Sequence, residues 1–281
     1  MTVVAEKTAE VDDTTLPYLE AGEGDAVIFL HGALADARDW APVLKALPEG
    51  LRGIAPTQRH FGAGYREHGA RAFGTDQQAA DLVDFMDALD LDRAIIAGWS
   101  FSTHSALAAA FAEPDRIKGL CLYDLGFPTF VTDPDALDAI DATNRPIFAD
   151  VAAAVKHGDL PGAAQALIDA GAGEADYFHT QPESRRRIHL ENAHTIPLVF
   201  EQTPPAAIGA DMLAGLSTPV SIAWGEQSPL SYRIVSETAA SLIPNAFASA
   251  VPRRHHLWPE THPEEFAAFI AAHVARFRQA K

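Results

Sequence analysis

Cysteine is almost missing from this 281-residue sequence. Cys121 stands alone, which excludes an internal disulfide, leaves the fold to be held by packing, and suits a reducing compartment. Long apolar runs are missing too. Nothing approaches the roughly 18 consecutive apolar residues of a membrane-spanning helix, and residues 1–13 mix Glu, Lys and Asp with short apolar side chains, without the apolar centre of a secretory leader. A cytoplasmic protein is expected. Basic residues are a minority, 21 Lys and Arg against 38 Asp and Glu, and the formal net charge of −17 disfavours nucleic acid and anionic membranes as partners. His60, His68, His179, His189 and His194 offer neither an i, i+4 pair nor a cysteine partner, so no metal is expected.

What is present is an apolar content of 48%, enough to bury the interior of one large domain or of a core with an insertion. Residues 26–30, 51–55, 94–99, 117–125, 219–225 and 246–251 read as strands. Residues 39–47, 75–89, 231–242 and 263–276 read as helices, the second on the spacing of Ala79, Leu82, Val83, Met86 and Leu89. Residues 15–20 read as an edge strand, with Pro17 keeping it from the sheet centre. Strands that alternate with helices predict an α/β protein with one doubly wound sheet. Residues 126–215 break the alternation: helical runs around 135–142, 146–157, 160–170 and 182–194 are divided by prolines, and no strand pattern recurs. This predicts a helical lid (126–215) inserted into a core made of 1–125 and 216–281. Within it, Arg185-Arg186-Arg187 reads as a solvated helix face.

The stretch 94–110 is the centre of the chain's organisation. An apolar strand runs into Gly98-Trp99-Ser100-Phe101-Ser102 and then into an alanine-rich helix, so a serine hydroxyl sits on a sharp strand-to-helix turn. The turn has the form G-x-S-x-G with Ser102 in the place of the second glycine, and serine is small enough for strand and helix to approach. Here the sequence resembles the α/β-hydrolase superfamily over residues 15–125 and 216–276. The resemblance implies a mostly parallel eight-stranded sheet flanked by helices, no cofactor, and Ser100 as nucleophile. It implies that backbone N–H groups of Ala33, in the His31-Gly32 turn, and of Phe101 form the oxyanion hole.

A serine hydroxyl is a weak nucleophile without a general base. Relatives carry a histidine seven residues before a Pro-Glu-Glu helix start, and His256 stands seven before Pro263, with His255 as the fallback. The acid departs from the common pattern. After the strand ending at Trp224, relatives read Gly-x-x-Asp, whereas this chain reads Gly225-Glu226-Gln227-Ser228. Some branches, resembling haloalkane dehalogenases and related luciferases, place the acid after the preceding strand, where Asp124 stands. Glu226, or a Ser-His dyad without a carboxylate, remain as alternatives.

The resemblance to dehalogenases does not extend to their chemistry, which needs an aspartate where this chain has Ser100. Serine suits acyl transfer. The expected activity is hydrolysis of a small to medium ester, lactone or thioester through an acyl-serine, by a monomer or homodimer whose partner is a small-molecule substrate. His31, Trp99, Phe127, Phe130 and Trp224 are expected to line the substrate pocket. C–C bond hydrolysis, perhydrolysis or a lyase step by the same residues is the alternative within enzymes, and a slow-turnover ligand sensor the alternative outside them.

Overall fold

The computed structural model describes residues 3–63, 72–201 and 205–279; His68 lies outside them. Eight strands form one sheet: β1 (Ala5–Val11), β2 (Thr14–Gly22), β3 (Gly24–Leu30), β4 (Gly50–Pro56), β5 (Ala94–Trp99), β6 (Ile117–Tyr123), β7 (Val220–Gly225) and β8 (Phe247–Val251). Their spatial order is β1-β2-β4-β3-β5-β6-β7-β8, and every pair from β4 to β8 is parallel. The expected edge strand at 15–20 is corrected: β1 pairs antiparallel with β2 and takes the edge, with Thr8 opposite Pro17. Pro17 has no N–H to give, and its carbonyl accepts from the Thr57 N–H at 2.8 Å.

Twelve α-helices and a short 3-10 helix (Ala37–Trp40) complete the described chain: α1 (Ala41–Ala46), α2 (Thr75–Ala88), α3 (Ser102–Ala112), α4 (Pro134–Lys156), α5 (Leu160–Ala172), α6 (Tyr177–Thr180), α7 (Glu183–Glu191), α8 (Thr195–Glu201), α9 (Ala210–Ala214), α10 (Leu230–Leu242), α11 (Trp258–Thr261) and α12 (Pro263–Gln279). None of those described is long and apolar enough to cross a membrane. The central strands read as unbroken apolar runs because both faces are covered. Along β3, Ile28 and Leu30 join the core on the face of α2, α3 and α10, while Val27 and Phe29 join Trp40, Phe266 and Ile270 on the face of α1 and α12.

β6 and β7 are neighbours in the sheet, yet α4 to α9 lie between them in the chain. The expected break at Pro146 is corrected, since α4 runs through it. A proline removes one N–H from the ladder, but the buried contacts of α4, Ile140 and Val151, fall on either side of it and hold both halves to the protein.

Chain direction across the sheet reverses at β3: the chain passes to β4 on one side and then to β5 on the other. Such a switch point leaves a crevice at the carboxyl ends of the strands. The turns after β3, β5, β6, β7 and β8 carry Ala33, Ser100, Asp124, Ser228 and His256, in that order.

Candidate active site

Ser100 occupies the turn from β5 to α3 with φ +58°, a left-handed conformation that costs a non-glycine residue roughly 1–2 kcal/mol. The turn is fixed on several sides. The Ser100 N–H donates to the Tyr123 carbonyl at 3.0 Å, and Thr103 donates to the Ser100 carbonyl through its N–H at 3.1 Å and its Oγ1 at 2.6 Å. A Cβ on Gly98 would lie 3.2 Å from the Thr103 Cα, so the motif's first glycine lets helix and strand meet. Ser102 does more than stand in for a small residue. Its buried hydroxyl accepts from the Trp99 N–H at 3.1 Å and donates to the Leu30 carbonyl at 2.8 Å, tying the elbow to the end of β3.

Asp124 follows β6 with φ +50° and is fully buried. Three donors converge on its carboxylate: the Gly225 N–H on Oδ1 at 3.2 Å, and the Ser228 hydroxyl at 2.6 Å and the His256 Nδ1 at 2.9 Å on Oδ2. Gly225 makes this approach possible, because a Cβ there would come within 2.3 Å of the Arg254 carbonyl and 2.5 Å of the Ser228 Oγ. Ser228, which holds the position where the family resemblance led to an expected acid, is instead a donor to the Asp124 carboxylate.

Glu226 is exposed and accepts from the Arg253 N–H at 3.2 Å, so it does not orient His256. His255 turns away from Asp124: its Nδ1 accepts from the Leu257 N–H at 3.2 Å, and its ring meets Tyr177 edge-on at 5.4 Å.

Two aromatic side chains hold the His256 imidazole. Trp99 lies at 5.7 Å, its indole N–H donating to the His256 carbonyl at 2.9 Å. The Tyr232 ring stacks on the imidazole at 4.1 Å and 14°. With Nδ1–H given to Asp124, the remaining nitrogen, Nε2, is free to accept a proton.

Neither the Ala33 nor the Phe101 N–H meets an acceptor among the described residues. Gly32 and Ser100 are close, with 3.2 Å from a Cβ built on Gly32 to the Ser100 Cβ. His31 braces this turn instead of lining a pocket. It is fully buried, its Nε2 accepts from the Gln58 N–H at 3.0 Å, and its Nδ1–H donates to the Gly32 carbonyl at 2.9 Å. Burial pushes its pKa down to about 4, so the ring is neutral.

Beside Ser100 opens a cavity of about 140 Å³, and its walls correct the expected set. Of the five predicted residues only Phe127 lines it. Trp99 and Trp224 belong to strands, so their side chains project into the layers above and below the sheet, and Phe130 is core. Phe148, Leu167, Ile196, Val199 and Phe200 of the intervening helices form the far wall, with Tyr232 of α10 beside Ser100. Sequence reading missed them, because an apolar residue on a helix gives the same signal whether it faces a core or a cavity.

Arg185 also departs from expectation. Its side chain is 15% exposed and pairs with Asp39, with Glu260 at 3.7 Å; Arg187, at 67%, is the solvated one. Asp39 and Glu260 are each 2% exposed, and His189 stands 3.7 Å from Glu260. This cluster joins α7 to α11, four residues beyond His256. Burial and the Glu260 charge, against the opposing Arg185 and His189, push the Asp39 carboxyl up to about 7.

A raised carboxyl pKa means that the folded state holds a proton the unfolded chain has lost. Its contribution is complete below the ordinary Asp range and disappears as pH rises through about 7. Asn mimics the protonated form, so the melting temperature of Asp39→Asn relative to the native chain should climb between pH 5 and pH 8. A difference that stays flat over that range would place the proton elsewhere.

An α/β fold with a serine elbow at the switch point, and a buried aspartate–histidine pair beside it, defines a hydrolase-like architecture. The sequence matches the family model described as alpha/beta hydrolase fold over residues 25–263, and the chain belongs to that family. It is 34% identical over 124 residues to a 2-hydroxy-6-oxo-2,4-heptadienoate hydrolase of Pseudomonas putida, covering 43% of this chain and 44% of that one. It is 32% identical over 149 residues to the serine hydrolase BPHL of Homo sapiens, covering 48% and 47%. These matches thus span less than half the length of either relative. Among solved structures, a thermophilic esterase from Thermogutta terrifontis superposes with a TM-score of 0.73 at 23% identity, over 98% of this chain and 99% of that one.

Proposed function

We propose that this protein is a serine hydrolase that cleaves an uncharged ester, lactone or thioester through an acyl-Ser100 intermediate. One observation carries the reading: the buried Asp124 carboxylate bound to the His256 Nδ1 at 2.9 Å, on the strand edge where Ser100 is held at φ +58°. His256 Nε2 takes the Ser100 proton as Oγ attacks the carbonyl carbon, and the C=O electron pair moves onto oxygen, where the Ala33 and Phe101 N–H groups receive it. Collapse expels the leaving group, which takes the proton from His256. Water then repeats the sequence on the acyl-enzyme.

The acyl group lies in the cavity, under a lid formed by residues 126–215. A volume of about 140 Å³ is close to that of apolar cavities known to hold benzene, so an acyl group of about four to six carbons fills it. C–C bond hydrolysis, suggested by the name of the Pseudomonas relative, is the second reading. Its dienoate would bring a carboxylate to a cavity whose described lining residues include no cation.

Two measurements test the proposal. A fluorophosphonate should label Ser100, and kcat/KM across p-nitrophenyl esters should peak at about four to six acyl carbons. Phe200→Ala, which removes an aromatic side chain from the cavity wall, should move the peak to longer chains. No label and no turnover would overturn the reading.

A further inference from the structure

Tyr232 is absorbed by no part of the triad, yet it stacks on one member and shares a cavity wall with another. It is the third residue of α10, whose start is fixed by the same turn that supplies Ser228. Gln227 donates to the Arg254 carbonyl at 2.9 Å, Ser228 to the Gly225 carbonyl at 3.1 Å, and the Tyr232 N–H to the Pro229 carbonyl at 3.1 Å. This turn is thereby tied to the loop that carries His256. The Tyr232 ring lies flat on the His256 imidazole, and Tyr232 lines the same small cavity as Ser100. Tyr232 and Ser100 are two of the three hydroxyl-bearing residues in a lining otherwise apolar.

We propose that Tyr232 is a further catalytic residue: its hydroxyl donates a hydrogen bond to Ser100 Oγ whenever that oxygen carries charge, while its ring braces the His256 imidazole. The proposal rests on the acyl-serine reading. Charge develops on Oγ twice. In acylation Oγ loses its proton to His256 as the bond to the acyl carbon forms; in deacylation that bond breaks and Oγ is the leaving oxygen until His256 returns the proton. A phenol beside it lowers both barriers without exchanging its own proton, so the proton balance stays between Ser100, His256, leaving group and water. Burial pushes the phenol up to about 12, which keeps it a donor through the working pH range. The stacked face suits the step as well, because the electron-rich ring is complementary to the imidazolium that forms against it.

Tyr232→Phe keeps the stacked ring and removes only the donor. Loss of a donor aimed at developing charge costs about 10²- to 10³-fold in the strongest cases, and a donor shared with His256 is expected to cost about 10- to 100-fold. The test measures kcat and KM on a p-nitrophenyl ester and, separately, the second-order rate at which a fluorophosphonate modifies Ser100, a step that needs no deacylation. The expected result is a 10- to 100-fold loss in kcat with KM within about twofold, a similar slowing of phosphonylation, and an unchanged melting curve. Replacing Tyr232 by 3,5-difluorotyrosine, whose more acidic phenol is a stronger donor, should raise both rates above the native chain and so separates donation from packing. Native-like rates in Tyr232→Phe, or rates unmoved by fluorination, overturn the role of Tyr232 alone. A native chain whose Ser100 is never labelled overturns the acyl-serine reading with it.

Discussion

Alanine at position 100 is expected to lower ester hydrolysis by about 10⁵- to 10⁶-fold, to the level that binding and backbone donors support without a nucleophile. Glycine at the same position should be equally inactive and more stable. Ser100 holds φ +58°, where a Cβ is unfavourable and glycine is not. Ser100→Gly should therefore gain about 1 kcal/mol, a few degrees in Tm for a domain of this size, while Ser100→Ala leaves Tm near the native value. The two variants separate chemistry from backbone strain: the turn is held in a costly conformation because that conformation lifts the hydroxyl above the sheet. Retention of more than about 1% of native turnover in either variant would show that Ser100 is not the nucleophile.

The second large effect is expected at Asp124. Asparagine there keeps the size and tolerates the left-handed backbone at φ +50°, but it no longer holds Nδ1–H of His256 with a charge. The imidazole loses its preferred tautomer and its imidazolium form loses its counter-charge, at a cost of about 10³- to 10⁴-fold in kcat. Ser228→Ala removes one of three donors on the same carboxylate and should cost about tenfold, since the remaining two still orient it. Glu226→Gln, an exposed change, should stay within twofold of the native rate. The order Asp124, Ser228, Glu226 is the prediction; a native-like Asp124→Asn, or a Glu226→Gln as damaged as Asp124→Asn, would reverse the assignment.

The legibility of this arrangement differs from residue to residue. The elbow was readable because its requirements are local: a strand-length apolar run, a glycine and two serines in five positions, and an alanine-rich helix all lie within residues 94–110. The strands of the parallel sheet were readable because burial on both faces leaves continuous apolar runs. β1 was not, since an outer antiparallel strand shows one covered face at most, and its burial alternates only at Ala9 and Val11.

Asp124 was reached through an absence, the serine at 228, and the structure gives that serine a use: it donates to the carboxylate whose usual place it occupies. Arg185 shows the opposite case. Three consecutive arginines look alike in sequence, and only the packing of α7 against Asp39 and Glu260 buries the first of them.

The sequence by itself thus determined the architecture, the serine on its turn and the histidine seven residues before Pro263, because each depends on neighbours along the chain. The tertiary structure alone decided which carboxylate meets the histidine, which helices wall the cavity, and that Tyr232 lies on His256 in the wall of the cavity that holds Ser100. Those contacts join residues as far apart as Asp124 and His256, brought together by the order of strands in the sheet. No periodicity or local propensity encodes a contact of that kind; it exists only once β5, β6, β7 and β8 are side by side.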